Sequence, residues 1–187
     1  MGTTYKVLGK QATTQTSLAI TNKVLSENVA TLTTSTDHNL IVGQTVNILL
    51  NTSDSSFDGV HVITSAPTTT TFTYESINSN VASAATTGTA TGFTWYTLYT
   101  CPVDTSAVIS SLIVNNRNNG GGYYQIAIAD STTVAAEDYI VYNDLAAANE
   151  TIGLTLGLTL DSTNKYLMVA ASDADFTFQA HGMEITA

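Results

Sequence analysis

One cysteine, Cys101, occurs in 187 residues. A single thiol excludes an internal disulfide and a cysteine-rich zinc site. Basic residues are nearly as scarce. Lys6, Lys10, Lys23, Arg117 and Lys165 make up the set, against 15 acidic residues, for a formal net charge of −10. They are scattered, so no basic stripe exists to neutralise phosphates, and no nucleic-acid partner is expected. Anionic membrane surfaces would repel this chain. No apolar run is long enough to cross a bilayer, so no membrane partner is expected either. The opening MGTTYKVLGK lacks the apolar centre of a signal peptide. Gly2 sits in a strand-like context rather than a lipidation motif. The expectation is a protein made in a cytoplasm and used without export by a signal peptide.

Catalytic signatures are missing as well. There is no Gly-x-Ser-x-Gly elbow, no phosphate loop and no His-x-x-x-His spacing. No long amphipathic helix is visible. Charged residues of both signs reach only 11%, where a soluble domain usually has about 25%.

Thr, Ser and Asn replace the missing charge. Thr is β-branched and favours strands, while Ser and Asn favour turns. Strand-like runs recur along the whole chain. TTYKVL (3–8), SLAI (17–20), NVATLTTS (28–35), TVNILL (45–50), GVHVITSA (59–66) and TFTYES (71–76) come first. The Thr- and Ala-rich stretch 78–92 reads as a linker or a weak edge strand. A second set runs through FTWYTLYT (93–100), AVISSLIVNN (107–116), YYQIAIA (123–129), YIVYND (139–144), ETIGLTLGLTL (150–160), YLMVAAS (166–172) and DFTFQAHGMEI (175–185). Residues 131–140 have room for one helical turn. In AVISSLIVNN, strict alternation puts Val108, Ser110, Leu112 and Val114 on one face and Ile109, Ser111 and Ile113 on the other. Apolar groups on both faces predict a central strand with protein on both sides. The fold expected is all-β, in two modules.

Two segments resemble phage structural modules. "VATLTTSTDHNLIVGQTVNILL" with "FDGVHVITSAPTTTTFTY" is similar to a small β-module of tail and virion proteins, with His38, Gly43 to Val46, Asp58-Gly59 and Thr71 to Tyr74 as its landmarks. "TTYKVLGK", "TLYTCPVDTSAVISSLIVNNRN", "DYIVYNDLAAANETIGLTLGLTL" and "FTFQAHGMEIT" resemble a virion structural protein family of tailed bacteriophages of the marine and cyanobacterial type. In that family the Tyr-Lys-Val-Leu-Gly opening lies shortly before the Leu-Tyr-Thr segment. Here Gly9 and Leu98 are far apart in sequence. The resemblance implies a β-sandwich (jelly-roll or Ig-like) built from residues 1–20 and 93–187. It implies a small β-module inserted at 25–78, with 79–92 as the linker or edge strand. Insertions succeed at exposed turns where chain ends meet.

The function implied is non-enzymatic. The chain would be an external accessory protein of the virion, a capsid decoration or cement protein, docking on capsid or tail proteins as a homo-oligomer, read as a trimer. The alternative is a tail- or fibre-associated adhesin that recognises host surface glycan. A third class, a polysaccharide hydrolase, would need a carboxylate pair such as Glu137-Asp138 or Asp173/Asp175 at a defined separation.

Weighed singly, the chemically suggestive residues are mostly structural. Cys101 has no His, cation or helix start nearby to activate it and reads as a small buried hydrophobe. His38, His61 and His181 lack ligand spacing. Asp54 and Asp58 in SDSSFDG lack the spacing of a calcium loop, and a hairpin turn accounts for them. The sharpest surface feature is NNRNNGGGYY (115–124). Its three glycines suggest a permissive tip, flanked by Arg117, Tyr123 and Tyr124. Arg and Tyr are favoured in interfaces, so these three are the partner-contact candidates. No catalytic residue, metal ligand or cofactor is expected.

Overall fold

The computed structural model describes residues 2–15 and 17–186. Among them the chain is all-β. The strands are β1 (Gly2–Ala12), β2 (Leu18–Ser26), β3 (Val29–Thr34), β4 (Thr45–Leu50) and β5 (Gly59–Thr68). Next come β6 (Thr71–Glu75), β7 (Val81–Ala85), β8 (Gly88–Gly92), β9 (Tyr96–Thr100) and β10 (Thr105–Asn116). The last five are β11 (Gly122–Ala129), β12 (Tyr139–Ala146), β13 (Thr151–Leu160), β14 (Tyr166–Ala171) and β15 (Phe176–Thr186). Short 3-10 turns occupy Ser55–Phe57 and Ala136–Asp138, the second within the stretch that has room for a helical turn. The chain divides into two compact units, Met1–Thr14 with Thr94–Ala187, and Gln15–Phe93.

The first unit has two four-stranded sheets, β1-β15-β10-β13 and β12-β11-β14-β9. Both contribute to one core. Ile109, Leu112, Val114 and Phe178 come from the first sheet, and Tyr124, Ile126 and Val169 from the second. β13 shows why the sequence folds this way. In TIGLTLGLTL, Ile152, Leu154, Leu156, Leu158 and Leu160 alternate inward while threonines and glycines face out, the pattern of a half-buried strand. A bulge between Ile109 and Ser111 lets β10 follow β15 and β13. It also exchanges Val108 and Ile109 between the two expected faces. Ile109, Leu112 and Val114 point into the core together, and Val108, Ser111 and Ile113 face out. A β-bulge adds one residue, and each residue added switches the side of everything after it. At Gly182 the strands approach so closely that a Cβ would sit 2.0 Å from the Val108 carbonyl oxygen.

The second unit is a ring. Its sheet order β3-β6-β5-β4-β8-β2 is closed by direct pairing of β2 with β3, giving a six-stranded barrel, and β7 attaches to β2. Closure removes the exposed edges that an open sheet of this size would carry. Ile20, Leu25, Leu32, Val46, Ile48, Phe72 and Tyr74 fill the interior. This unit is wider than the 25–78 range read from the sequence. Leu18 to Ile20 begin β2, and the 79–92 stretch supplies both β7, an edge strand, and β8, which lies between β4 and β2. Small Thr, Ala and Gly residues gave β8 no apolar alternation, yet Ala90 is fully buried and Gly88 packs against Leu50.

The loop after β4 plugs the barrel. Phe57 is buried, and the Tyr74 hydroxyl donates to its carbonyl at 2.8 Å. Lys23 reaches Asp54 at 2.8 Å and lies 4.8 Å over the Phe57 ring. At the β5–β6 turn, buried His38 accepts from the Leu40 N–H through Nδ1 at 2.9 Å. Its proton therefore sits on Nε2, which donates to the Thr68 carbonyl at 3.1 Å.

Candidate functional site

The segment after β10 is a tied loop. Asn116 is fully buried, and its amide nitrogen donates to the Gly120, Ala146 and Ala147 carbonyls at 3.0, 3.2 and 3.0 Å. Its Oδ1 accepts from the Asn118 N–H at 2.9 Å. Asn118 repeats the device, with Oδ1 accepting from the Gly120 N–H at 3.0 Å. Asn149 joins in from the β12–β13 turn, donating to Asn119 Oδ1 at 3.2 Å. None of Gly120, Gly121 and Gly122 takes a positive φ. Gly122 serves space instead, since a Cβ there would meet the Phe176 ring at 2.7 Å.

The structure separates the three sequence candidates. Arg117 is half exposed, its guanidinium 3.7 Å from Asp175 and its N–H bonded to the Asp175 carbonyl. Tyr123 is half-buried, with its backbone held by Ser172 on both sides. Tyr124 is fully buried and donates to Asp144 Oδ2 at 2.8 Å. Burial pushes its phenol up first, and the neighbouring Asp144 adds to the shift. Tyr124 therefore belongs to the core and is withdrawn as a contact residue. Adjacent residues on a strand face opposite sides, so a Tyr-Tyr pair at the start of β11 sends one ring inward. Among the described residues no hydrogen bond, ion pair or ring contact joins Arg117 to Tyr123.

The other suggestive residues hold the fold. Cys101 is buried, and its thiol donates to the Thr105 carbonyl at 3.3 Å. Burial pushes that thiol up, away from the reactive thiolate. Asp54 accepts from Lys23 and the Ser56 N–H, and the Lys23 bond leads in holding its carboxyl down at about 2. Asp58 accepts from the Leu50 N–H at 2.7 Å. His61 stacks on Tyr74 with centroids 4.1 Å apart, and desolvation lowers its pKa. Asp138 closes its own turn on the Ala135 N–H, and Asp173 accepts from the Asp175 N–H. An open depression lined by Val103, Asp104, Asp161 and Ile185 lies beside the start of β10. Its Asp161 carboxylate is engaged by the Thr163 and Asn164 N–H groups, which lower its pKa.

A surface of distinct chemistry is the outer face of β1-β15-β10. Cross-strand rows there read Thr3–Ile185–Ser106, Tyr5–Met183–Val108 and Val7–His181–Ser111. None of these nine is Asp, Glu, Lys or Arg, and the next outward row, Lys10–Gln179–Ile113, brings one exposed lysine to the same face. Tyr5 and Val7 are exposed, and Val108 and Met183 are half-buried. The face has its own internal order. Ser110 donates to the His181 carbonyl at 3.1 Å, leaving its oxygen to accept from the Tyr5 hydroxyl at 3.0 Å.

Comparison of the sequence with models of known protein families and with curated proteins finds no match.

Sequence reasoning missed this face as a site, although its signal was present. Apolar residues on both sides of AVISSLIVNN require cover on both sides. The core supplies one side. Val108 and Ile113 on the other side stay half-exposed. The bulge concealed which residues those were.

Proposed function

We propose that this protein is a non-enzymatic structural component of a tailed-phage particle, an external accessory protein that docks on capsid or tail proteins. The observation that carries the reading is the outer face of β1-β15-β10, where the three rows from Thr3 to Val7 hold no acid, lysine or arginine and Lys10 stands in the row beyond them. Hydroxyls and apolar side chains fill those three rows, and the interior of a protein interface is likewise depleted of charge. The sequence resemblance to phage virion proteins supports the same reading. So does the strand order of the first unit. Counted along the chain, β1-β15-β10-β13 over β12-β11-β14-β9 is the order of an eight-stranded jelly roll, an architecture used by capsid and lectin domains. On this reading the barrel is a module inserted between the first two jelly-roll strands, and the acidic surface elsewhere keeps the free protein from self-association.

Tyr5→Asp tests the assignment. Tyr5 is 61% exposed, so its replacement costs little folding stability, and surface changes usually stay within about 0.5 kcal/mol. A carboxylate buried among those uncharged rows on docking costs far more. The expected result is loss of the variant from purified particles with an unchanged melting curve. Incorporation equal to wild type would remove this face from the docking role.

A further inference from the structure

The second sheet of the first unit carries a different surface on its outer side. β11 and β14 place small or flexible residues there, with Ala127, Ala129 and Met168 forming a patch separate from the main core. Trp95 packs on that floor. Tyr139, paired with Ala127, stands on the same side. Its ring lies 5.6 Å from Trp95 and 4.9 Å from Tyr142, both edge to face. Three aromatic rings thus follow one another in edge-to-face contact, starting from a ring packed on a floor of small side chains. The last of them, Tyr142, is 52% exposed.

Beside the line sits a positioned amide. Asn143 takes a positive φ of 49° at an irregular point in the β11–β12 register, and bulges of this kind re-aim side chains. Gln125 donates to Asn143 Oδ1 at 2.6 Å. Gln125 lies on the outer side too, since its neighbours Tyr124 and Ile126 face the core. The bond fixes the Asn143 amide and leaves its nitrogen to donate elsewhere. The hydroxyls of Tyr139 and Tyr142 have no hydrogen-bond partner among the described residues.

We propose that the Trp95–Tyr139–Tyr142 line with the Asn143 amide is a binding site for a neutral saccharide. Sugar rings present apolar C–H faces that stack on aromatic rings and hydroxyls that pair with amides and phenols, and this surface offers both in one place. An anionic sugar would need a basic fork. The charges nearby are the acids Glu137 and Asp138, directly before Tyr139 in sequence, and Lys165, which lies 5.0 Å over the Tyr166 ring. The site uses the sheet opposite the docking face and does not depend on that reading.

Trp95 is the only tryptophan, so its emission reports the site directly. The full chain is titrated to millimolar concentration with neutral hexasaccharides of glucose, of mannose and of galactose, and with hexagalacturonate as the anionic probe. Binding is followed by fluorescence and by heat. The expected result is a saturable signal with at least one neutral hexamer and none with the anionic one. Tyr142→Ala then weakens binding about tenfold, and Tyr5→Asp leaves it unchanged. No signal by either method with all three neutral hexamers overturns the proposal. So does a preference for the anionic oligomer, or equal affinity in a Tyr142→Ala variant that melts like wild type.

Discussion

Lys23 is the most demanding residue in the barrel. It is 7% exposed, and its ammonium is matched by Asp54 at 2.8 Å and by the face of Phe57. Removing one partner of such a pair strands the other charge. The pair also sets a pH dependence with a definite sign. The Asp54 carboxyl stands at about 2 in the folded chain, against 3.8 for the free side chain. The unfolded state therefore takes up the proton first, and the stabilisation is fully present above the higher value. It is lost as pH falls from 3.8 toward 2. Thermal melting of the barrel should lose stability across that interval. In Asp54→Asn this part of the acid response should vanish and the melting temperature at neutral pH should drop. An acid response of the same size in both proteins would show that the pair is incidental. Nothing in the local sequence around Lys23 points to Asp54, because the two meet only when β2 and the loop after β4 close the same barrel.

Among the elements, β15 shows the tightest constraint. It pairs with β1 on one side and β10 on the other, and Gly182 lets the backbone of β10 come close. A methyl group there would meet the Val108 carbonyl oxygen at 2.0 Å, so the strands must move apart or the pairing must break. Overpacking of this kind costs about 1–3 kcal/mol. Gly182→Ala should lower the midpoint of denaturant unfolding by a corresponding amount, and an unchanged midpoint would mean that β10 and β15 yield freely. Most of these strands were legible beforehand. The alternation in ETIGLTLGLTL and the apolar runs of AVISSLIVNN and YLMVAAS mark β13, β10 and β14 directly. What stayed hidden had two physical causes. The bulge at Ser110 is one inserted residue that no periodicity announces, and it moved Val108 and Ile109 to the faces opposite those expected. β8 is built from Gly, Thr and Ala, residues equally at home in a linker, and only its place between β4 and β2 makes it a strand. The three-ring line on the second sheet was equally invisible, since Trp95, Tyr139 and Tyr142 come from segments far apart in sequence or separated by a bulged register.

At the level of the whole molecule, two units hold two separate cores. Phe176, Phe178 and Tyr124 centre one, and Phe72, Tyr74 and Phe57 the other. The chain leaves the first unit after Thr14 and returns to it at Thr94. The candidate contacts fared less evenly. Arg117 and Tyr123 stay at the surface while Tyr124 is spent on the core. The two surfaces of distinct chemistry lie on sheet faces, away from the glycine loop. Docking on a virus particle is the central claim, and labelling tests it most directly. Particles purified from an infection in which this chain carries a compact tag should be imaged by electron microscopy. The account predicts extra density at regularly repeated positions on the particle exterior. Purified particles that lack the tagged chain, while the untagged chain is equally absent from wild-type particles, would contradict it.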